Sequence, residues 1–445
     1  MAAPATNSAV VGTLSRSKRA RAARANRRDW ANLTAGPAGL IAEKLLEDDV
    51  ADYLRFRAVC SPWRRCTESL HSGKMDSGRF HPRRWIMVPE VFAGRAGRRD
   101  FLNVSTGERV RVDIPELRDR VVVGLTSDGL LVLQCGKGTG ELCLLNPLTR
   151  QLTALPNVAS LLNSRSTTSS STNLLSELKK LRPCFGTGLA DGSTVALYFE
   201  HGEAELAVAR PGDERWRCRV RPQPKPDSDS DSDEDSDLEP SEAVVSAISF
   251  GSRFYCITGK GVKVVDAASA AIGQPPQVVW AVEEDEYFHW LDIQAKLVDN
   301  DGELVMVRPT PGSKMQRYEA HRVDLDAGKM VRVRNLRGRA VFVCERSGRA
   351  VSVRPAELCS TIRADTVYKC WCDRDESQPP RIRACHVEKG WMTWDSCVQR
   401  GSVVDYLSRY VCRSEDTTVV PAPAPPPRRR KRKANSKVFG DDWVN

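Results

Sequence analysis

The stretch RFRAVCSPWRR (residues 55–65) sets Arg55, Arg57, Arg64 and Arg65 among Phe56, Val59, Cys60 and Trp63. The apolar residues recur at spacings of three and four, the period of one helix face. A nucleic-acid reader would use the arginines, whereas a docking helix would use the stripe. The surrounding sequence decides between them.

Outward from this stretch, residues 33–72 read as three short helices. Pro37 suits a first helical position, where its missing N–H costs nothing. Leu40, Ile41, Leu45 and Leu46 follow as a stripe on one side of the first helix. Asp48 or Asp49 can cap a second helix, whose apolar positions are Val50, Tyr53, Leu54 and Phe56, with Val59 and Cys60 beyond. Ser61-Pro62 restarts the chain as a cap followed by a helix-opening proline, leading to Trp63 and Cys66. Three helices in some forty residues bury little apolar surface alone. They must pack on a neighbouring domain or on a partner.

The formal charge of +10 invites a nucleic-acid reading. Its location argues against one. Residues 1–30 carry a net +6 and residues 428–445 a net +5, which leaves −1 for everything between. The basicity belongs to the two ends, whereas a DNA-binding fold concentrates it on one folded face. Residues 1–28 are expected to be a disordered basic tail, though an acid-poor, Arg- and Ser-containing start also has the composition of a transit peptide. Residues 413–445 read as a second disordered tail. In it a stiff PAPAPPP spacer precedes Arg428, Arg429, Arg430, Lys431, Arg432 and Lys433. That run suits a nuclear localisation signal read by an importin, so the expected location is nuclear, with the cytoplasm also open. No apolar run approaches the ~20 residues that span a bilayer, and no membrane partner is expected.

From about residue 80 to 412 the texture changes to short alternating apolar runs broken by Gly, Asp, Asn and Pro. Examples are residues 109–114, 130–135, 141–146, 194–199, 253–258, 262–266, 303–308 and 341–344. Roughly twenty such runs indicate an all-β domain. A loose unit recurs, with turn glycines at 129, 192, 251 and 302. Kelch-like blades repeat at ~50 residues, so a β-propeller is expected, with a large sandwich or barrel as the alternative. Two inserts interrupt it. One is the Ser/Thr-rich segment 164–173. The other is the acidic run DSDSDSDEDSD at 227–237, whose composition suits a solvated loop.

The chain has no Walker-type phosphate loop, no G-x-G-x-x-G opening a helix, no HExxH and no G-x-S-x-G. Six histidines are spread without a nucleophile in recognisable relation to any of them. Of fourteen cysteines, several lie inside apolar strands (Cys135, Cys143, Cys256), as reduced core residues do. Cys370, Cys372 and Cys385-His386 lack the knuckle spacing of a zinc site, and Tyr368, Cys370 and Cys372 fall on one strand face. No cofactor, no metal and no catalytic residue is expected, and the chain reads as a non-enzyme.

NLTAGPAGLIAEKLLEDDVADYLRFRAVCSPWRR resembles an F-box, ending in the family's Val-Cys-x-x-Trp-Arg as Val59, Cys60, Ser61, Pro62, Trp63 and Arg64. It departs at the usual Leu-Pro start, which is Leu33-Thr34 here. Residues 29–75 would be that F-box. The remainder, 80–412, is similar to plant F-box proteins of grass type with a KIB-type β-propeller, a domain of unknown function. HPRRW (81–85), LLNPLTRQLTALP (144–156), RVDLDAGKMVRVRNLRGRAVFV (322–343) and ADTVYKCWC (364–372) carry the likeness.

The resemblance implies a substrate-receptor subunit of an SCF-type cullin–RING E3 ubiquitin ligase. Leu33, Pro37, Leu40, Ile41, Leu45 and Leu46 would contact a Skp-type adaptor. Tyr53, Leu54, Val59, Cys60 and Trp63 would extend that contact or form the F-box's own core. The propeller would recruit a protein substrate, and the arginines would be a solvated rim. The alternative is a nuclear propeller that binds protein or nucleic acid and carries a degenerate F-box.

Overall fold

The computed structural model describes residues 30, 33–68, 78–88, 97–135, 140–157, 160, 186–191, 193–198, 204–220, 244–266, 274–284, 294–310, 317–344, 347–372, 378–390 and 392–412. The two tails, with the basic run 428–433, and the inserts 164–173 and 227–237 lie outside these residues.

Three helices open the described chain: α1 (Ala35–Asp48), α2 (Val50–Val59) and α3 (Ser61–Arg65). Thr34 is the extended residue before α1, so Pro37 falls inside the first turn rather than at its first position. A proline is tolerated there because the first turn's N–H groups lack helical acceptors anyway. Asp49 is the cap of α2, its carboxylate accepting from Ala51 N at 2.8 Å. Cys60 precedes α3, with Pro62 in its first turn.

Twenty-four described strands then form six sheets. Blade 1 (residues 85–113) has three strands, β1–β3. Blades 2 (120–155), 3 (186–220), 4 (246–283) and 5 (296–333) are four-stranded antiparallel meanders, β4–β7, β8–β11, β12–β15 and β16–β19. Blade 6 (340–397) has five strands, β20 (Ala340–Cys344), β21 (Ala350–Val353), β22 (Thr366–Trp371), β23 (Arg381–His386) and β24 (Met392–Cys397), in the order β21-β20-β22-β23-β24. There β20 runs parallel to β22 after the short helix α4 (Pro355–Leu358). The domain is a six-bladed β-propeller, which resolves the sandwich-or-barrel alternative.

The ring is closed by shared cores. Phe101 and Ile114 of blade 1 pack with Leu131 and Leu145 of blade 2. Val132 and Leu144 of blade 2 pack with Leu197 and Ala207 of blade 3. Tyr198 and Val208 meet Phe254 and Cys256 of blade 4. Ile257 and Val264 meet Leu297 and Met306 of blade 5. Val305 and Val307 meet Val341 and Val367 of blade 6. Phe342 and Tyr368 of blade 6 meet Ile86 and Leu102 of blade 1. Alternate residues of one strand thus serve different neighbours, and both faces are buried. That is why Leu130-Leu131-Val132-Leu133 reads as an unbroken apolar run.

The last helix, α5 (Val403–Cys412), joins the closing core through Val404, Leu407 and Val411. The Arg109 guanidinium of blade 1 lies 4.6 Å over the Tyr406 ring. Asp405 and Arg409, one turn apart and both buried, pair at 2.7 Å inside it.

Strands β4 (Arg120–Leu125), β8 (Gly186–Asp191), β12 (Ser246–Phe250), β16 (Lys296–Asp299) and β21 (Ala350–Val353) lie against one another around the axis. Gly129, Gly251 and Gly302 mark the hairpins that leave β4, β12 and β16. At Gly251-Ser252 and Asp301-Gly302 both central residues have positive φ, the geometry of a two-residue I′ turn. The tips of these hairpins gather at one mouth of the ring.

Candidate functional sites at the helical module and the propeller mouth

Helix α1 has two apolar faces. Ala38, Ala42 and Leu46, spaced by four, are buried with Val50, Tyr53, Phe56 and Phe80. The two alanines let α2 and Phe80 approach closely, so the interior is built around small residues. The opposite face exposes Pro37, Leu40 and Ile41, with Leu40 74% accessible. Val59 at the end of α2 is 63% accessible.

The expected contact set is therefore divided. Leu46 and Tyr53 are interior and do not lie on a docking surface, because each fills the module's own core. Leu33, Leu45 and Trp63 are half-buried against that core, and Leu54 and Cys60 are half-buried as well. Trp63 stacks on Phe56 with centroids 4.4 Å apart, and its Nε1 donates to Trp30 O at 2.9 Å. Pro37, Leu40, Ile41 and Val59 remain outward.

Three of the four arginines of the opening stretch have structural partners. Arg55 pairs with Asp52 at 2.6 Å and with Glu108 beside blade 1. Arg57 lies over the Tyr53 ring and donates to Glu68 O at 2.5 Å. Arg64 Nε donates to Arg57 O at 3.1 Å, which satisfies a carbonyl at the end of α2. Arg65 stays exposed. The basic residues tie helix ends to the rest of the fold.

The module is fastened to the propeller at Asp49. Its carboxylate accepts from Ala51 N, from Trp85 Nε1 at 2.8 Å and from Asn103 Nδ2 at 2.6 Å. One side chain caps α2 and satisfies two donors of blade 1. Asn146 of blade 2 donates to Phe80 O at 2.7 Å, and Ala51 enters the core shared by blades 1 and 2.

Between the module and the hairpin tips lies a cleft of about 730 Å³. Its walls come from the end of α1, the connecting segment 81–84, the first hairpins of blades 2, 4 and 5, and β21. Asp128 and Asp299 reach it from blades on opposite sides of the ring. Burial pushes the Asp128 carboxyl up to about 6, only partly offset by Arg83, whose Nε is 3.4 Å away. Burial also raises Asp299. Asp301 is held below the usual carboxylate range, first by its hydrogen bond from Arg354 at 2.5 Å. Arg339 is buried and anchored on Ser352 Oγ at 2.8 Å. His81, also buried, is pushed down to about 4 by desolvation and then by Arg83. The connecting segment sits hard on blade 2. A Cβ at Gly129, where φ is +80°, would meet Pro82 O at 2.4 Å.

The sequence reading missed this cleft. Its signals were present as the Asp-Gly and Gly-Ser turns and as HPRRW, but nothing in one dimension brings them to one mouth. Cys344, Cys370 and Tyr368 pack in the core of blades 6 and 1. Among the described residues, no group of three or more His, Cys, Asp or Glu could hold a metal ion. No described helix is long and apolar enough to cross a membrane.

A family model described as the KIB1-4 beta-propeller matches residues 101–395. No curated protein matches at a significant level. Among solved structures, the Myceliophteria thermophila Cps50 (Swd1) β-propeller domain is 12% identical, over 68% of this chain and 93% of that one, with a TM-score of 0.27. The tricorn protease is 11% identical over 70% of this chain and 31% of that one, with a TM-score of 0.28. PorZ of Porphyromonas gingivalis is 12% identical over 68% and 30%, with a TM-score of 0.25. With scores this low, none of the three bears on the function of this chain.

Proposed function

The chain belongs to the KIB1-4 β-propeller family, and from that premise we propose that it is the substrate-receptor subunit of an SCF-type cullin–RING ubiquitin ligase. The helical module is an F-box that docks a Skp-type adaptor through Pro37, Leu40, Ile41 and Val59. The propeller holds a protein substrate at the cleft between its mouth and the module. Ubiquitin-transfer chemistry resides on other subunits, and this chain positions rather than catalyses. The basic run 428–433 directs the complex to the nucleus through an importin.

The observation that carries the reading is the second apolar face of α1. Leu40, 74% exposed, shares one face of α1 with the exposed Ile41 and Pro37, and Val59 is exposed at the end of α2. Contiguous exposed apolar surface of this kind is what a protein interface uses. The fastening at Asp49 supports it too, since a receptor must hold its substrate domain at a fixed orientation to its docking module.

The test is co-purification of the full chain with a Skp-type adaptor, wild type beside Leu40→Asp and Ile41→Asp. Trp63→Ala is a poorer probe, because Trp63 belongs to the module's own stack. Stoichiometric binding by wild type and loss in both variants is expected. Absence of wild-type binding, or binding that survives both charges, overturns the proposal.

A further inference from the structure

Blade 2 holds a pair of thiols whose arrangement the receptor reading does not use. Cys135 ends β5 (Leu131–Cys135) and Cys143 lies in β6 (Glu141–Leu145). In the register of this hairpin Leu133 faces Cys143, so Cys135 and Cys143 are diagonal neighbours on one face. Their Sγ atoms are 3.0 Å apart, and neither is in a disulfide. A disulfide needs about 2.0 Å, so about an ångström of closure at the end of a hairpin completes the bond. The Arg120 guanidinium completes the site. Its Nε donates to Cys135 Sγ at 3.3 Å, while its Nη1 is fixed on Glu116 O at 3.0 Å. Cys135 is half-buried and Cys143 buried.

These positions assign two different roles. Cys135 has the guanidinium donor and the access. Cys143 has neither, and burial pushes its thiol up to about 12. It is a poor first nucleophile but sits within reach of whatever forms on Cys135.

We propose that Cys135 and Cys143 form a peroxide-reactive modification site in blade 2, with Cys135 the attacking thiol, Cys143 the resolving thiol and Arg120 a positioning residue. The Cys135 thiolate attacks one oxygen of a hydroperoxide. The O–O bond breaks, Cys135 becomes a sulfenic acid, and the departing oxygen takes a proton to leave as water or an alcohol. The Cys143 sulfur then displaces the sulfenic hydroxyl, which takes the Cys143 proton and leaves as water. Two thiols give up two electrons to the peroxide, and an S–S bond replaces two S–H bonds. The product staples β5 to β6 at the end of the hairpin remote from the cleft, within the core that blades 1 and 2 share with Ala51 of the helical module.

The experiment treats the full-length chain with low hydrogen peroxide in the presence of dimedone, then alkylates, digests with trypsin and reads masses. Lys137 lies between the two cysteines, so a disulfide joins two separate tryptic peptides. The wild type is expected to yield the linked Cys135–Cys143 peptides, reversed by reductant. Cys143→Ser is expected to lose the link and accumulate the dimedone adduct on Cys135. Arg120→Met is expected to slow oxidation of Cys135 severalfold by releasing its sulfur from the Nε contact, with Arg120→Lys recovering part of the rate. Cys60, Cys66 and Cys359, also half-buried, serve as references in the same wild-type digest. The proposal is overturned if Cys135 oxidises no faster than they do, or if its disulfide partner is another cysteine.

Discussion

The helical module and the propeller bury apolar surface in opposite ways. Every blade face in the ring has a neighbour, and the core of blades 6 and 1 closes the circuit. Among the described residues the large apolar side chains it leaves exposed, Val121, Leu152, Val279 and Leu325, lie away from the mouth, whose lining carries Asp128, Asp299, Arg83 and Arg339. The module fills one small core and leaves Leu40, Ile41 and Val59 outside. A closed ring recognises with its loops, whereas an open bundle recognises with the face it could not cover. The two regions should therefore answer differently to substitution.

The largest effect is expected inside the ring. Phe342 is fully buried in the closing core and stacks on Tyr368 at 4.7 Å. Phe342→Ala should cost about 3–5 kcal/mol of unfolding free energy, measured by denaturant titration of the full chain. A cost near that of a surface substitution would mean that blades 6 and 1 do not close on each other.

The junction comes next. Asp49→Ala removes a helix cap and orphans Trp85 Nε1 and Asn103 Nδ2. A lost cap plus unsatisfied donors amounts to about 2–4 kcal/mol. Limited proteolysis should show the module becoming the first region cut while the propeller stays resistant. If both regions are lost together, they are one cooperative unit and the contrast between them fails.

The fold was largely legible before the structure, for a physical reason. Strands buried on both faces, such as residues 130–133, announce themselves by composition, and the positive φ angles of the I′ turns at 251–252 and 301–302 favour the glycine each contains. Blade number was not legible, because the spacing of the turn glycines varies and blade 6 reverses its inner pair. The three helices were legible from their stripes and caps, but the inward face of α1 was not. Ala38 and Ala42 carry too little apolar surface to stand out, while Leu40 and Ile41, which do stand out, point away. The mouth was the least legible part, since Arg83, Asp128, Asp299 and Arg339 meet only through the closure of the ring.

At the mouth the expected sign reverses. Asp128, raised to about 6 by burial, binds its proton more tightly folded than unfolded. Between about pH 4 and 6 this carboxyl therefore lowers stability as pH rises, and above that window its full burden remains. Asp128→Asn should be more stable than wild type by about 1–3 kcal/mol at pH 7, with the gain shrinking towards pH 4. Loss of its partner costs little, because Arg83 is 59% exposed. His81, held near 4, works the other way: its contribution is present above about pH 6.5 and is lost as pH falls towards 4. In wild type the two slopes oppose each other, so denaturation of each single variant across pH 4–7 separates them. A flat difference between Asp128→Asn and wild type would mean that solvent already reaches this carboxylate.

The smallest stability effect belongs to the residue with the largest expected effect on association. Leu40→Asp introduces a charge on an exposed helix face, with Leu40 outside the buried cluster of the module's core. Surface changes of this kind stay within about 0.5 kcal/mol. Adaptor binding should be abolished all the same, since a buried unpaired carboxylate at an apolar interface is strongly unfavourable. The pair of readouts is what matters. Unchanged stability with lost binding identifies an outward face evolved for a partner. A loss of stability comparable to that of Asp49→Ala would mean that some part of this chain already covers Leu40. The module would then be closed like the ring, and the contrast between the two regions would disappear.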